Sequence, residues 1–130
     1  MHTYQYQILK YIHDRATGEF VNLGVVIRFP EREGYRFAAE FMTCAKRVTE
    51  FFGRNEVDGR RLTQLLKAFK QRIETGEDLK PGDSLESVTC QLLQPDNSSL
   101  VFGEVQSALG LNADSTLNHL YKRLVAKYAV

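Results

Sequence analysis

The stretch Gly18–Ile27 constrains the fold more than any other part of the chain, because it carries the densest run of strand-forming residues. Asn22 and Gly24 stand inside this run, although strand interiors avoid both residue types. Some local feature of the strand therefore requires them, and two interpretations of that feature are open.

In the first interpretation, Gly24 lies at a β-bulge and Asn22 satisfies the backbone groups that the bulge leaves unpaired. In the second, Asn22 contacts a ligand or a partner protein, and Gly24 lets the partner's backbone approach closely. Glu19, near the start of the run, belongs to the same candidate contact surface. Loss of Asn22 reduces stability in the first interpretation and binding in the second.

Three strands are predicted around this stretch. Residues 3–13, rich in aromatic and β-branched side chains, predict the first strand, residues 19–29 the second and residues 35–42 the third. The turn sequences Asp14–Gly18 and Glu31–Gly34 connect them. Connections this short exclude parallel crossovers, so the strands are expected to form an antiparallel meander.

Two later segments have the periodicity of amphipathic helices. Residues 59–75 predict the clearest helix, with Asp58 as its N-cap. Residues 115–128 predict the last helix, with Asp114 or Ser115 as its N-cap. The apolar stripe of the first is Leu62, Leu65, Leu66, Phe69 and Ile73, and that of the last is Leu117, Leu120, Tyr121, Leu124, Val125 and Tyr128.

The remaining segments are less clearly patterned. A short helix is expected over residues 44–52, after the N-cap Thr43. Ser84–Ser87 offers a capping box, whereas residues 88–93 fit either a strand or a helix. Residues 99–102 predict a short strand that joins the sheet.

Together these elements predict an α+β fold, in which an antiparallel sheet begun by an N-terminal β-meander packs against two to three amphipathic helices. The helices at 58–75 and 115–128 are expected to cover one face of the sheet. The 130 residues fit a single domain, 1–130, which is large enough to fold without a metal or a disulfide.

Charge is balanced over the whole chain but not along it. The net charge of +1 gives no overall preference for nucleic acid. Residues 44–73 carry eight basic and three acidic side chains, whereas residues 74–104 carry one basic and seven acidic. A basic segment beside an acidic one indicates internal pairing first and a partner surface second.

The basic segment contains candidate phosphate contacts on the face of the 59–75 helix opposite its apolar stripe. They are Arg60, Arg61 and Lys67, accompanied by Gln64 and Gln71. Basic residues on an exposed helix contact phosphates in nucleic-acid-binding proteins. The alternative is a solvated face that pairs with the acidic residues of 77–86, because no reader motif or aromatic platform accompanies the charge.

The chain carries no catalytic or metal-binding signature. His2, His13 and His119 form no recognisable arrangement with a nucleophile. The carboxylates of Asp14 and Glu19 have no third partner at metal-ligand spacing. We therefore expect no catalytic residue, no metal and no cofactor.

The two cysteines, Cys44 and Cys90, fit reduced thiols better than a disulfide, because the sequence shows no secretory signal. Cys44, at the start of its predicted helix, is either a reactive thiol or a small packed residue. No apolar run approaches the roughly 18 residues that a membrane span needs. The expected location is the cytoplasm, with no membrane contact.

The N-terminal segments resemble a known family. Tyr4–Ile12 and Gly18–Val26 are similar to the Tyr-rich strand and the Glu-Phe-x-Asn-hydrophobic-Gly-Val run of the bacterial proteins grouped as domain of unknown function 3037. Leu120–Val125 is similar to the closing helix of that family. The resemblance covers most of the chain, is specific at the N-terminal hairpin and is loose from 76 to 113.

The resemblance implies no established activity. It implies an accessory role, with a HipA-like kinase or a toxin–antitoxin component as partner. The expected function is a non-enzymatic interaction module, which reaches its protein partner through a Tyr-rich edge strand or an apolar helix stripe. Nucleic-acid binding or processing through residues 44–73 is the alternative, and an enzyme acting at the hairpin tip is a third hypothesis.

Overall fold

A computed structural model describes residues 1–14, 16–42, 59–76, 79, 82–93 and 100–125. The strands in this part of the chain are β1 (His2–Asp14), β2 (Glu19–Glu31), β3 (Gly34–Phe41), β4 (Leu100–Phe102) and β5 (Gln106–Gly110). The helices are α1 (Gly59–Thr75), α2 (Leu85–Leu92) and α3 (Ala113–Leu124). The predicted α+β class, an antiparallel sheet packed against amphipathic helices, is confirmed.

The Tyr-rich strand β1 lies at the centre of the sheet. The strand order is β3-β2-β1, and both β4 and β5 pair with the other side of β1. The expectation that β1 forms an edge is therefore wrong. The reason is that two later segments, β4 and β5, pair along the side of β1 that the β1–β2 hairpin leaves free.

A β-bulge interrupts β2 at Leu23. Leu9 pairs with Gly24 across the two strands. The next pair is Lys10 with Asn22, so Leu23 is an extra residue on β2, and its side chain is fully buried. Bulges bend a strand and increase its twist, so this one curls the sheet near the middle of β2.

Buried polar side chains hold the connection between β4 and β5. Nε2 of Gln7 donates to the carbonyl oxygen of Gly103 at 2.9 Å, and the N–H of Gly103 donates to the carbonyl oxygen of Ile8 at 2.8 Å. The hydroxyl of Thr89, on α2, donates to Oε1 of Gln7 at 2.7 Å. Gln7 and Thr89 are 4% and 1% exposed, so these bonds satisfy groups whose burial would otherwise be destabilising.

Helices cover both faces of the sheet. Val25 and Val26 are neighbours on β2 and so point to opposite faces. Val26 belongs to a cluster with Leu66 of α1, whereas Val25 belongs to a cluster with Leu120 of α3. The expectation that both helices cover one face is therefore wrong. Every residue of Leu23–Ile27 is buried, and a strand of this kind needs cover on both faces.

A local cap decides the structure of the segment that the sequence leaves open. Ser84 caps α2, because its hydroxyl accepts a hydrogen bond from the N–H of Ser87 at 3.1 Å. Residues 88–93 therefore continue a helix as far as Leu92 rather than forming a strand.

The last helix begins earlier than predicted. Asn112 has an extended backbone, and its Oδ1 accepts from the N–H of Ser115 at 2.8 Å. The prediction of Asp114 or Ser115 as the cap is therefore wrong, because the buried Ala113 already starts the helix against the sheet. The predicted helix 44–52, the cap Asp58 and the stripe residue Tyr128 lie outside the described residues.

Candidate functional site

Gly24, the first site candidate, lies beside the bulge of β2. A Cβ at this position would overlap the ring of Phe41 on β3 and lie 2.9 Å from the carbonyl oxygen of Glu40. The φ angle of Gly24 is outside the left-handed region, so glycine is required for space rather than for backbone conformation. The close approach that it permits is that of the chain's own Phe41.

Asn22, the second candidate, ties β2 to the end of α3. Its Nδ2 donates to the carbonyl oxygen of Leu124 at 3.0 Å. Carbonyl groups in the last turn of a helix lack intrahelical partners, so this bond caps the helix C-terminus. The bulge interpretation expects Asn22 to bond the backbone groups that the bulge leaves unpaired. That expectation is wrong for Nδ2, because its acceptor, the carbonyl oxygen of Leu124, lies on α3. Oδ1 of Asn22 is buried without a hydrogen-bond partner in the described part of the chain, and its contact with a ligand stays a prediction.

Glu19, the third candidate, lies at the hairpin end of β2, where it pairs with Asp14. The fold does not bring it to the bulge. A cavity of about 280 Å³ beside this hairpin end is lined by Lys10, Ile12, Gly18 and Phe20. The ammonium group of Lys10 lies 4.8 Å from the centre of the Phe20 ring, so the cation contacts the aromatic face.

The edge strand β3 directs alternate backbone groups away from the sheet. A two-residue turn joins Glu31 to Gly34, and these residues form the last pair of the β2–β3 ladder. The pair that closes such a turn is hydrogen-bonded, and hydrogen-bonded and non-hydrogen-bonded pairs then alternate. The groups that face β2 therefore belong to Gly34, Arg36, Ala38 and Glu40. Those that face outward belong to Tyr35, Phe37, Ala39 and Phe41.

Pro30 fits this alternation. It pairs with Tyr35 at a position that requires no N–H toward β3. Its missing N–H faces β1, and the β1–β2 ladder ends two residues before Pro30, at the pair of Gln5 and Arg28. Proline therefore stops pairing on one side of β2 only, which is why the strand continues past its predicted end to Glu31.

A groove of about 460 Å³ follows the outer side of β3. Its floor is the segment Arg36–Glu40, with Glu74 of α1 on one side and Leu117 and Asn118 of α3 on the other. No strand within the described ranges pairs with this side of β3. The opposite edge of the sheet is divided between β4 and β5, of three and five residues, whereas β3 offers eight in one run.

Charged side chains border the groove in pairs. Nη2 of Arg36 lies 3.0 Å from Oδ1 of Asp114, and the two side chains are 44% and 80% exposed. Nζ of Lys70 lies 3.2 Å from Oε1 of Glu40 and 3.8 Å from Oε1 of Glu74. Exposed pairs contribute about 0–1 kcal/mol, so these pairs add little to the stability of the fold.

The basic candidates lie on the solvent side of α1, as the helical spacing predicts. Leu62, Leu66, Phe69 and Ile73 are buried on the opposite side. The basic candidates and the two glutamines beside them are all exposed, namely Arg60, Arg61, Gln64, Lys67 and Gln71. Among the acidic residues expected to pair with them, Glu77 and Asp78 lie outside the described residues, and Glu86 is exposed on α2.

Residues 6–125 match the model of a family described as Protein of unknown function (DUF3037). The chain belongs to the DUF3037 family. The match runs from within β1 to the end of α3, so it includes Asn22, Gly24 and the whole of β3, and it confirms the resemblance seen at the N-terminal hairpin. No curated protein and no solved structure matches this DUF3037 chain.

The described residues of the DUF3037 chain hold no group of three His, Cys, Asp or Glu side chains placed to bind a metal ion.

Two tyrosines have raised pKa values. Burial raises the pKa of the Tyr4 phenol, with a smaller contribution from Tyr6, so the phenol is neutral at physiological pH. Burial also raises the pKa of Tyr121, and the nearby negative charge of Glu40 raises it further.

Cys90 is a half-buried free thiol on α2, and Cys44 lies outside the described residues. None of the described helices is long and apolar enough to span a membrane.

Among the described strands β3 is an edge, and the sequence carries little local information about that position. Strand order depends on pairing between distant segments, which alternating hydrophobicity does not encode. One usable signal is the pair of opposite charges at Arg36 and Glu40, which a period of two places on the same face of the strand.

Proposed function

We propose that this DUF3037 protein is a non-enzymatic interaction module, which binds other proteins by accepting a strand at the open edge of β3. The outward direction of the Phe37 and Ala39 backbone groups, at the floor of a groove between two helices, supports this proposal. Unpaired N–H and C=O groups on an edge strand readily pair with another polypeptide.

Strand addition uses backbone hydrogen bonds for affinity and side-chain contacts for selectivity, and the groove supplies both. Each added backbone hydrogen bond contributes about 1 kcal/mol net. Side chains at the rim, from Glu74 on α1 and Leu117 on α3, contact the added strand and make binding selective. The family resemblance implies a HipA-like kinase or another toxin–antitoxin component as the partner, and we propose such a protein as the first candidate.

The substitution Ala39→Pro tests this function. It removes an N–H that faces outward and leaves the ladder with β2 intact, because proline is tolerated on an edge strand whose N–H side is free. The matched control is Arg32→Pro, in the exposed turn of the same hairpin, where proline fits the backbone. After co-expression with the kinase-like partner, we expect co-elution on size exclusion for wild type and Arg32→Pro, and separate elution for Ala39→Pro.

Separate elution of the wild-type chain and its partner at micromolar concentration would contradict the proposal. Co-elution of all three variants would show that the partner binds a different surface.

The second candidate function is nucleic-acid binding by the exposed basic face of α1. The exposure of Arg60, Arg61 and Lys67 along one side of the helix favours it. We expect Arg60→Ala with Lys67→Ala to weaken binding equally for all sequences and to reduce its salt dependence. Lys122→Ala with Arg123→Ala, on the exposed side of α3, is the charge-matched control. A gel shift with no binding at low salt removes this candidate.

A further inference from the structure

We infer that the strand accepted at β3 is the β3 of a second copy of the chain, so that the protein is a two-fold symmetric homodimer when no other partner is present. This inference rests on the proposed function, because both require an open β3 edge. It adds the identity of the occupant and the register of pairing.

The direction of the backbone groups restricts how two β3 strands pair. Only Tyr35, Phe37, Ala39 and Phe41 present N–H and C=O groups outward, so each must lie opposite a member of the same set in the second copy. In an antiparallel pair this condition places the two-fold axis on a residue rather than between residues. Three axis positions near the middle of the strand satisfy it, namely Phe37, Ala38 and Ala39.

Charge selects the axis at Ala38. With the axis there, Arg36 lies opposite Glu40 of the second copy, and symmetry repeats the pair on the other side. These positions form a non-hydrogen-bonded pair, in which side chains approach most closely. An axis at Phe37 or Ala39 instead places Arg36 or Glu40, respectively, opposite Ala38 of the second copy, so neither charge gains an opposite partner.

Side-chain size agrees with the same register. The small side chain of Ala38 meets its own copy at the axis, where two large residues would collide. On the other face, Phe37 lies opposite Ala39 of the second copy, so a large residue faces a small one in both directions. Arg36, Ala38 and Glu40 share one face of the strand, and the groove runs along all of them.

The contacts that the dimer replaces are weak. Arg36 pairs with Asp114, whose side chain is 80% exposed, and Glu40 pairs with Lys70 across partly exposed positions. Surface pairs of this kind exchange partners readily. Asp114 and Lys70 stay at the rim of the groove, where they adjoin the new Arg36–Glu40 pairs.

Charge exchange tests the inference by light scattering coupled to size exclusion at micromolar concentration. We expect a dimer for the wild type, monomers for Arg36→Glu and for Glu40→Arg, and a dimer again for the double variant, because exchanging both charges restores the cross-strand pairs. Arg32→Glu makes the same charge change in the exposed turn and should remain dimeric. Circular dichroism confirms that each variant is folded.

The register has its own test. In a chain with Cys44→Ser and Cys90→Ser, Ala38→Cys places two thiols opposite each other at the axis, at a separation that a disulfide spans. We expect rapid formation of a covalent dimer on oxidation. Ala39→Cys, also at a buried position of the same strand, is the matched control, because it faces Phe37 of the second copy and should form little disulfide.

The outcomes separate this inference from the function on which it rests. A monomeric wild-type chain, or a double charge variant that fails to recover the dimer, overturns the inference. If the wild type is monomeric while Ala39→Pro still abolishes binding of the kinase-like partner, the inference fails and the proposed function stands. If Ala39→Pro changes neither the homodimer nor the complex with the kinase-like partner, both the inference and the proposed function fail.

Discussion

Gly24 shows how a residue that suggests a binding site is explained by packing within the chain. Its missing side chain leaves room for the Phe41 ring, and its backbone needs no left-handed conformation. The exceptional residue types in a strand-forming run predicted a bulge at Gly24, and the extra residue is the neighbouring Leu23. The residue types did not reveal that the Phe41 ring fills the space beside Gly24, because Phe41 is distant in sequence and belongs to another strand.

We expect Gly24→Ala to destabilise the protein by about 1–3 kcal/mol, since the added methyl group displaces Phe41 or the backbone of β3. Urea denaturation measures the change. Gly103→Ala is the control, because its Cβ would lie no closer than 3.6 Å to another atom. A Gly24→Ala protein as stable as the control would show that β3 adjusts without strain.

Asn22→Ala removes the donor to the Leu124 carbonyl oxygen and should lower stability by about 1 kcal/mol, partly offset because the unpartnered Oδ1 is lost too. Asn22→Asp should lower it more, since it replaces the donor with a carboxylate at the negative end of α3. Both are measured by urea denaturation. An unchanged midpoint for Asn22→Ala, together with lost partner binding, would favour the ligand-contact interpretation.

At the scale of elements, the sequence predicts what depends on local periodicity. The meander and α1 follow from alternation and from a long apolar stripe, and both lie close to their predicted bounds. α2 was ambiguous because its apolar run is short, and the Ser84 cap decides it. Its position on β1 depends on Gln7 and Thr89, which are 82 residues apart, so no local pattern reports it.

Thr89→Val should destabilise the protein by about 1–3 kcal/mol, because it leaves Oε1 of the buried Gln7 without its donor while preserving side-chain shape. Thr75→Val, at the exposed end of α1, is the control and should change stability little. Thermal or urea unfolding gives both values. Equal stability of the two variants would mean that Gln7 finds another donor.

At the scale of the whole molecule, the order of strands was not predictable from the sequence, because it depends on which distant segments meet. The covering of both faces had one signal in the sequence, because Leu23–Ile27 lacks the alternation of a strand with one solvated side. All five residues of this run are buried. Among the described strands, β3 has no neighbour on its outer side in this arrangement.

Amide hydrogen exchange should report directly whether the outward N–H groups of β3 are hydrogen-bonded. If the proposed dimer forms and Arg36→Glu abolishes it, the amide of Phe37 in the variant should exchange much faster than that of Ala38, because only the latter donates within the ladder. In the wild type, the proposed dimer should protect both amides. Nuclear magnetic resonance resolves the individual amides. Equal protection in the monomer would mean that part of the same chain covers the edge.

The central place of β1 has a consequence for the newborn protein on the ribosome. The Gln7–Gly103 and Asn22–Leu124 bonds join positions 96 and 102 residues apart, so neither forms until translation has passed Gly103 and Leu124, respectively. Until then the emerged hairpin has one side of β1 unpaired and one face of β2 bare. Intermediates with unpaired strand edges and exposed apolar surface are prone to aggregation, so the segment that contains β4, β5 and α3 protects the N-terminal hairpin once it has emerged.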